Sequence, residues 1–283
     1  MGLSSNTLWH MTKRDAFFSI LKSRNISYSY SLEKIFPINK MGGIAFPMIS
    51  MCDLPFSEIA TTKWTYGDYA IGFSREWGLR NGFSPVWYCN NGSRVYNQLF
   101  KMLIETIEHE EKGYMGMAMY LLSNVKFVQA PLVTKNRKFK NYRFYDEREY
   151  RLVPYITETD KHEVMPYLTE DGYADYKKQI GHSRLDFGVS FEYSDIKYLI
   201  VNSESNIKDV RKILSSSPEV SHINIVTKKD VMEDFIGIEH NEEILPSPKE
   251  SDIEATLRHI NRMTQDFKQG WELIRKSKNN IEK

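Results

Sequence analysis

A chain of 283 residues with 41% hydrophobic and 13% aromatic content has enough apolar material for one large core or two modest ones. Its formal net charge of +1 supplies no global field to draw it to nucleic acid or a membrane, so any such partner has to be read from a local patch. The two cysteines, Cys52 and Cys89, lack paired metal-ligand spacing, no secretory leader is recognised, and no apolar stretch approaches the roughly 20 residues of a membrane-spanning helix. A soluble cytoplasmic protein without a metal centre is therefore expected.

The chain opens with Leu8-Trp9-His10-Met11-Thr12, which reads as a strand, and Thr12-Lys13-Arg14-Asp15 has the form of a capping-box variant ahead of a helix carrying Phe17, Ile20 and Leu21 at helical spacing. On that reading the Thr12 hydroxyl caps the helix, and His10 is either an ordinary buried histidine or a ligand-holding one. The run from Gly43 to Pro55 is extended and ends in a turn, with Ser50 and Asp53 at its end and Pro55 forcing Leu54 out of the helical region. Ile59 begins a helix-like stretch, and Tyr66 to Ser74 is a further strand in which Gly67 and Gly72 permit close approach of a neighbour or a ligand.

Pro85 to Tyr88 reads as another strand, followed by a helix from about Ser93 to Glu108 with Val95, Leu99, Met102, Leu103 and Ile107 on one face. Lys135, Arg137, Lys138, Lys140 and Arg143, interleaved with Phe139 and Tyr142, form a basic patch suited to nucleic acid or a pyrophosphate, or simply a solvated loop. Ile196 to Val201, Ile207 to Leu214 and Ile223 to Val226 give a strand-helix-strand rhythm without the glycine-rich phosphate loop of a dinucleotide fold. After Pro246-Ser247-Pro248 the composition shifts to an amphipathic helix from Asp252 to about Lys276, placing a boundary between a domain over 1–245 and an extension over 246–283.

The segment Asp146-Glu147-Arg148-Glu149-Tyr150-Arg151 carries the densest chemistry. Read as a strand, it puts Glu147, Glu149 and Arg151 on one face, and the apolar run from Leu152 to Ile156 extends it. A solvated edge strand with cross-paired charges explains the same pattern.

The ordered motifs Leu8-Trp9-His10-Met11-Thr12, the helix with Ile20-Leu21, Ser50-Met51-Cys52-Asp53-Leu54-Pro55, Tyr66-Gly67-Asp68-Tyr69-Ala70-Ile71-Gly72-Phe73, Pro85-Val86 and Glu147-Arg148-Glu149-Tyr150-Arg151 resemble the AbiGi family of abortive phage-resistance proteins. The likeness runs over about the first 230 residues. That family carries an antitoxin label, yet the motif order also looks like a compact ADP-ribosyltransferase of the DarT-like or diphtheria-toxin-like kind. The resemblance implies an α+β fold built on a split, mostly antiparallel sheet with flanking helices and a C-terminal amphipathic helix.

It further implies that NAD is the substrate, that His10 on the first strand holds the nicotinamide-side ribose, and that Glu149 activates the riboside, with Glu147 nearer the acceptor. Thr12, Ser50 and Arg151 would complete the NAD site, and either Tyr66 or Tyr69 would be the middle aromatic. Two other readings compete: a non-catalytic antitoxin that binds a cognate toxin, and a metal-dependent nuclease using Asp146, Glu147 and Glu149. The nuclease lacks a lysine at the usual carboxylate-x-lysine position. On the transferase reading the partners are a protein antitoxin and a nucleic-acid or protein acceptor.

Overall fold

A computed structural model of the chain describes residues 5–34, 43–59, 64–108, 112–133, 138–162, 164–215, 217 and 220–233. Strand β1 (Thr7–Thr12) sends Leu8 to one core and Trp9 to another, as a period of two requires. Helix α1 (Arg14–Ser23) buries Phe17, Ile20 and Leu21 and ends at Arg24, whose left-handed φ of 51° turns the chain into β2 (Asn25–Glu33). Its N-cap is Lys13, with no side-chain cap, so the capping role expected of Thr12 is corrected: Thr12 is still in β1, and Lys13 makes the turn in extended conformation. β2 buries Ile26, Tyr28 and Tyr30 and turns Asn25, Ser27, Ser29, Ser31 and Glu33 to its other face.

The next elements are β3 (Ile44–Cys52), α2 (Phe56–Ile59), β4 (Tyr69–Ser74), α3 (Arg75–Arg80), β5 (Ser84–Pro85), β6 (Trp87–Cys89), α4 (Arg94–Glu108) and α5 (Lys112–Ser123). Helix α2 begins at Phe56, so Ile59 lies within it rather than opening it, and residues 60–63 lie outside the described residues. In α4 the inward residue is Tyr96, with Leu99 and Met102 packed beside it, while Val95 is exposed, so the expected apolar face is rotated by one residue at its start. Gly67 has φ of 152°, and a Cβ there would lie 2.0 Å from the Thr12 carbonyl; one at Gly72 would meet Thr7 and Trp9 side chains within 3 Å. Both glycines serve close approach to β1.

Then come β7 (Val125–Phe127), β8 (Gln129–Val133), β9 (Lys138–Arg143), a 3-10 turn over Phe144–Glu147, β10 (Glu149–Leu152), α6 (Ile156–Lys161), β11 (Leu168–Thr169), α7 (Glu170–Ile180), β12 (Arg184–Ser190), β13 (Ile196–Val201), α8 (Glu204–Leu214), β14 (Asn224–Thr227) and α9 (Lys228–Glu233). Among the described residues the main sheet runs β12-β2-β3-β1-β4-β13-β14, with β10 and β11 also on β3. The fold is α+β with a mostly antiparallel sheet; β13 and β14 are parallel, joined by α8 as the strand-helix-strand rhythm requires. α4, α5 and β7 cover Phe46 and Met48 of β3 with a second core.

The sheet opens at β3. β2 accompanies it from Ile44 to Met48, where Ser29 faces Met48, and β1 meets it only at Trp9 with Cys52. Between those contacts Ile49, Ser50 and Met51 have β10 on one side and, among the described residues, no paired strand on the other. The expected helix from Asp252, the boundary after 245, and Lys135 and Arg137 lie outside the described residues.

Candidate functional site

A cavity of about 1130 Å³ occupies this opening, and His10, Thr12, Ser50, Tyr66, Glu147 and Glu149 all border it. β1 brings in His10 and Thr12, β3 brings Ser50, and β10 brings Glu149 beside Cys52. His10 Nδ1 lies 3.1 Å from the Ser50 carbonyl; a carbonyl only accepts, so Nδ1 carries the proton and Nε2 keeps its lone pair. Burial lowers the His10 pKa, against a smaller opposing effect of that hydrogen bond, and keeps the ring neutral.

Glu149 is the hub. Its Oε1 accepts from Ser50 Oγ at 2.7 Å and from Arg151 Nε at 2.7 Å, and its Oε2 accepts from Lys126 Nζ at 2.5 Å and from Arg151 Nη2 at 3.1 Å. The Glu149 N–H donates to the Tyr88 hydroxyl at 2.7 Å. Burial alone pushes this carboxyl up, but Arg151 and Lys126 outweigh it and hold the group well below the usual carboxylate range. The same partners raise Lys126 well above its ordinary value although burial opposes them, so the ammonium stays protonated.

Glu147 reaches the site by a different route from the one expected. The strand does not start before Glu149: Phe144–Glu147 is a 3-10 turn and Arg148 has a left-handed φ of 44°, so Glu147 and Glu149 do not share a strand face. The turn nevertheless aims Glu147 inward, where it accepts from Tyr66 at 2.8 Å, Tyr142 at 2.9 Å and Lys126 at 3.2 Å. Nor is β10 a solvated edge, since β3 and β5 flank it and Glu149, Tyr150 and Arg151 are buried. The strand stops at Leu152; the run to Ile156 breaks at Pro154 and enters α6.

Arg151 is fully buried and does not border the cavity. It donates to Glu149, to the Ser123 carbonyl at 2.5 Å and to Glu33 at 2.6 Å, so it orients Glu149 and is closed to a phosphate. Tyr69 also stands apart from the site. Its ring packs on Phe17 and Phe18, and its hydroxyl donates to Asn206 at 2.9 Å, because β4 turns that face to the α1 core. Of these two tyrosines it is Tyr66, with its hydroxyl on Glu147 and 41% of its surface exposed, that borders the cavity.

Sequence reasoning missed Lys126 and Glu33. The signal for Lys126 was a single lysine inside Val125-Lys126-Phe127-Val128, because a charge in an apolar strand is buried and has to be paired. Burial raises the Glu33 carboxyl in spite of Arg151. Lys138, Lys140 and Arg143 are exposed on β9, with Arg143 3.1 Å from Asp146. Among the described residues no group of three or more His, Cys, Asp or Glu side chains is placed to hold a metal ion, and no helix is long and apolar enough to cross a membrane.

Comparison with known proteins matches residues 20–202 to the family described as "Putative abortive phage resistance protein AbiGi, antitoxin". A relative named "Abortive phage resistance protein AbiGi", from Lactococcus lactis subsp. cremoris, is 26% identical over 180 residues, covering 56% of this chain and 72% of the relative. No solved structure matches the chain.

Proposed function

Because the chain belongs to the AbiGi family of abortive phage resistance proteins, we propose that it acts in phage defence by transferring ADP-ribose from NAD, with the riboside held between His10 and Glu149. The observation that carries this reading is the continuous link from His10 through Ser50 to Glu149 along one wall of the cavity. Three residues distant in sequence converge there on one ligand-sized space. The C–N bond of nicotinamide riboside breaks with both electrons leaving on the nicotinamide ring, which gains neutrality as the ribose becomes an oxocarbenium-like cation; the acceptor's lone pair then forms the new bond at that carbon, and the acceptor's proton passes to water. Such a reaction needs orientation and a fixed negative charge more than it needs strong acid or base.

On this reading the Glu149 carboxylate stabilises the ribosyl cation through the ribose hydroxyl, and Arg151 fixes its orientation. His10 Nε2 accepts from the riboside, and Thr12 and Tyr66 shape the rim. The acceptor is nucleic acid, drawn by Lys138, Lys140 and Arg143, or a protein. The test is transfer of label from NAD by the purified chain. Glu149→Gln preserves shape and removes the charge, and is expected to lower transfer by about 10² to 10³.

A second reading, a non-catalytic antitoxin that binds a partner toxin, is favoured over the first by the family's own description. Growth on expression separates the two. Toxicity of the chain that Glu149→Ala abolishes supports the transferase; a harmless chain that rescues cells from a toxin encoded beside it supports the antitoxin.

A further inference from the structure

An ionised carboxylate offers about four lone-pair positions, two on each oxygen. In Glu149 all four are taken: Ser50 and Arg151 on Oε1, Lys126 and Arg151 on Oε2. A ligand hydroxyl therefore bonds Glu149 only when one of these donors leaves. Arg151 is pinned at its other end by the Ser123 carbonyl and Glu33, and it has no exposed surface. The Ser50 hydroxyl has no second acceptor among the described contacts, and its own carbonyl is engaged by His10. Lys126 differs from both. Its ammonium already lies 3.2 Å from Glu147 Oε2 and 4.6 Å from the centre of the Phe144 ring, so it can leave Glu149 and remain paired.

We infer that Lys126 is a positioning residue that exchanges between Glu149 and Glu147 and thereby sets whether Glu149 is open to a ligand hydroxyl. In the resting chain the ammonium closes Oε2. When a ribose hydroxyl donates to that oxygen, Lys126 withdraws to Glu147 and keeps its proton, so no charge is created or lost in the buried cluster. Lys126 holds both carboxylates at rest, more closely on Glu149 than on Glu147, and its long flexible stem and three equivalent donors let it give up the first while keeping the second, whereas the rigid planar fork of an arginine does not withdraw in this way. A ligand that lacks a donating hydroxyl at this point gives nothing in return for the ammonium and is refused.

The inference rests on the reading that Glu149 receives a riboside hydroxyl, so its test has two arms. In the first, NAD binding to the full chain is measured by calorimetry for the wild type, Lys126→Met and Lys126→Arg, with melting temperatures alongside. Removing the competitor at Oε2 is expected to tighten NAD binding about tenfold, and a guanidinium that does not withdraw to weaken it about tenfold. A residue that only supports the fold would weaken binding in both variants, and that result, or equal affinity in all three, overturns the inference.

In the second arm no NAD is present. Hydrogen exchange of the Lys126 ammonium, followed by NMR in lysine-labelled chain, is compared between wild type and Glu147→Gln. With the alternative carboxylate gone, the ammonium is expected to stay on Glu149 and exchange several-fold more slowly; unchanged exchange overturns the proposal even if NAD binds. Slowed exchange in a chain that binds no NAD would instead sink the NAD reading and leave the exchange of Lys126 standing.

Discussion

Two buried ion-pair clusters flank β10, and they are built to different rules. On one side Asp53 accepts from Arg75 at 2.8 Å and from the Ser5 N–H at 3.0 Å, and Arg75 also donates to the Tyr150 hydroxyl. One carboxylate meets one guanidinium, and the pair ties the chain start, the end of β3 and the start of α3 together. On the other side Glu33, Glu147 and Glu149 face Lys126 and Arg151, three carboxylates to two cations, and the group borders a cavity. A staple between strands needs no surplus charge, and desolvating one is costly. The surplus is intelligible where something else is meant to enter, and the sharper question is how much each cluster contributes to stability.

The largest effect is expected from Arg151→Met. It leaves Glu33 and Glu149 buried without the guanidinium they share, and removing one partner of such a group costs about 3–5 kcal/mol. Arg75 keeps 26% of its side-chain surface, so water takes over part of its role. Arg75→Met should cost about 1.5–3 kcal/mol, the range for hydrogen bonds to a charged group. Urea unfolding of the two variants decides; equal losses would mean that the clusters do not differ in kind.

Glu33→Gln cuts the other way. The Glu33 carboxyl is raised by burial, so the folded state disfavours its charge at neutral pH; its contribution to stability is present below the ordinary carboxylate value and lost as pH rises through the folded value. Glu149 has the opposite sign: its lowered carboxyl contributes stability above the ordinary value, lost only as pH falls through the folded one. Neutralising Glu33 should therefore stabilise the chain at pH 7 by about 1.4 kcal/mol for each pKa unit relieved, and flatten the rise in stability otherwise seen on mild acidification. Unfolding at pH 7 and at pH 5 checks this. A loss at pH 7 comparable to that of Arg151→Met would place Glu33 among the staples.

Much of the framework was legible because it follows from periodicity alone: the β1, α1 opening, the extended run of β3, and the β13, α8, β14 unit. Alternation also put Glu149 and Arg151 on one face. What alternation could not supply is Arg148 in the left-handed region, which breaks the register and swings Glu147 in from a turn. Tyr66 and Tyr69 were equivalent in sequence, and only the fold separates them: β4 begins at Tyr69, which pairs with Thr12 of β1 and turns to the α1 core, while Tyr66 precedes the strand and reaches Glu147 at the cavity. Lys126 arrives from a strand that, among the described residues, pairs with β6 alone in a small separate sheet, so no local pattern links it to Glu149.

His10→Ala gives a smaller effect that bears on the cavity side of the comparison. Among the described residues its imidazole makes one hydrogen bond, to the Ser50 carbonyl, so its loss should lower the melting temperature by only about 2–4 °C while weakening NAD binding about tenfold, the value of one hydrogen bond of about 1.4 kcal/mol. Because burial lowers its pKa, NAD affinity of the wild type should not vary between pH 6.5 and 8 on account of this ring. Calorimetry across that range tests both statements. A large fall in melting temperature with affinity unchanged would make His10 a core histidine.

The smallest effect concerns Cys52, which sits opposite Glu149 in the β3–β10 register and borders the same cavity. Access to a cavity does not make a thiol reactive, because the thiolate is the nucleophile. Burial pushes Cys52 well above its ordinary value, and the nearby Glu147 and Glu149 charges push it further than Lys126 pulls it back. Cys89, away from the carboxylates, is raised only to about 11, by burial alone. A soluble disulfide reagent at pH 8 should therefore modify Cys52 more slowly than Cys89 in the folded chain, although Cys52 borders the cavity. Glu149→Gln should narrow that difference, since it removes one of the two negative charges acting on Cys52. Faster labelling of Cys52 would mean that the field in the cavity is positive, and the surplus of carboxylates that separates the two clusters would no longer describe it.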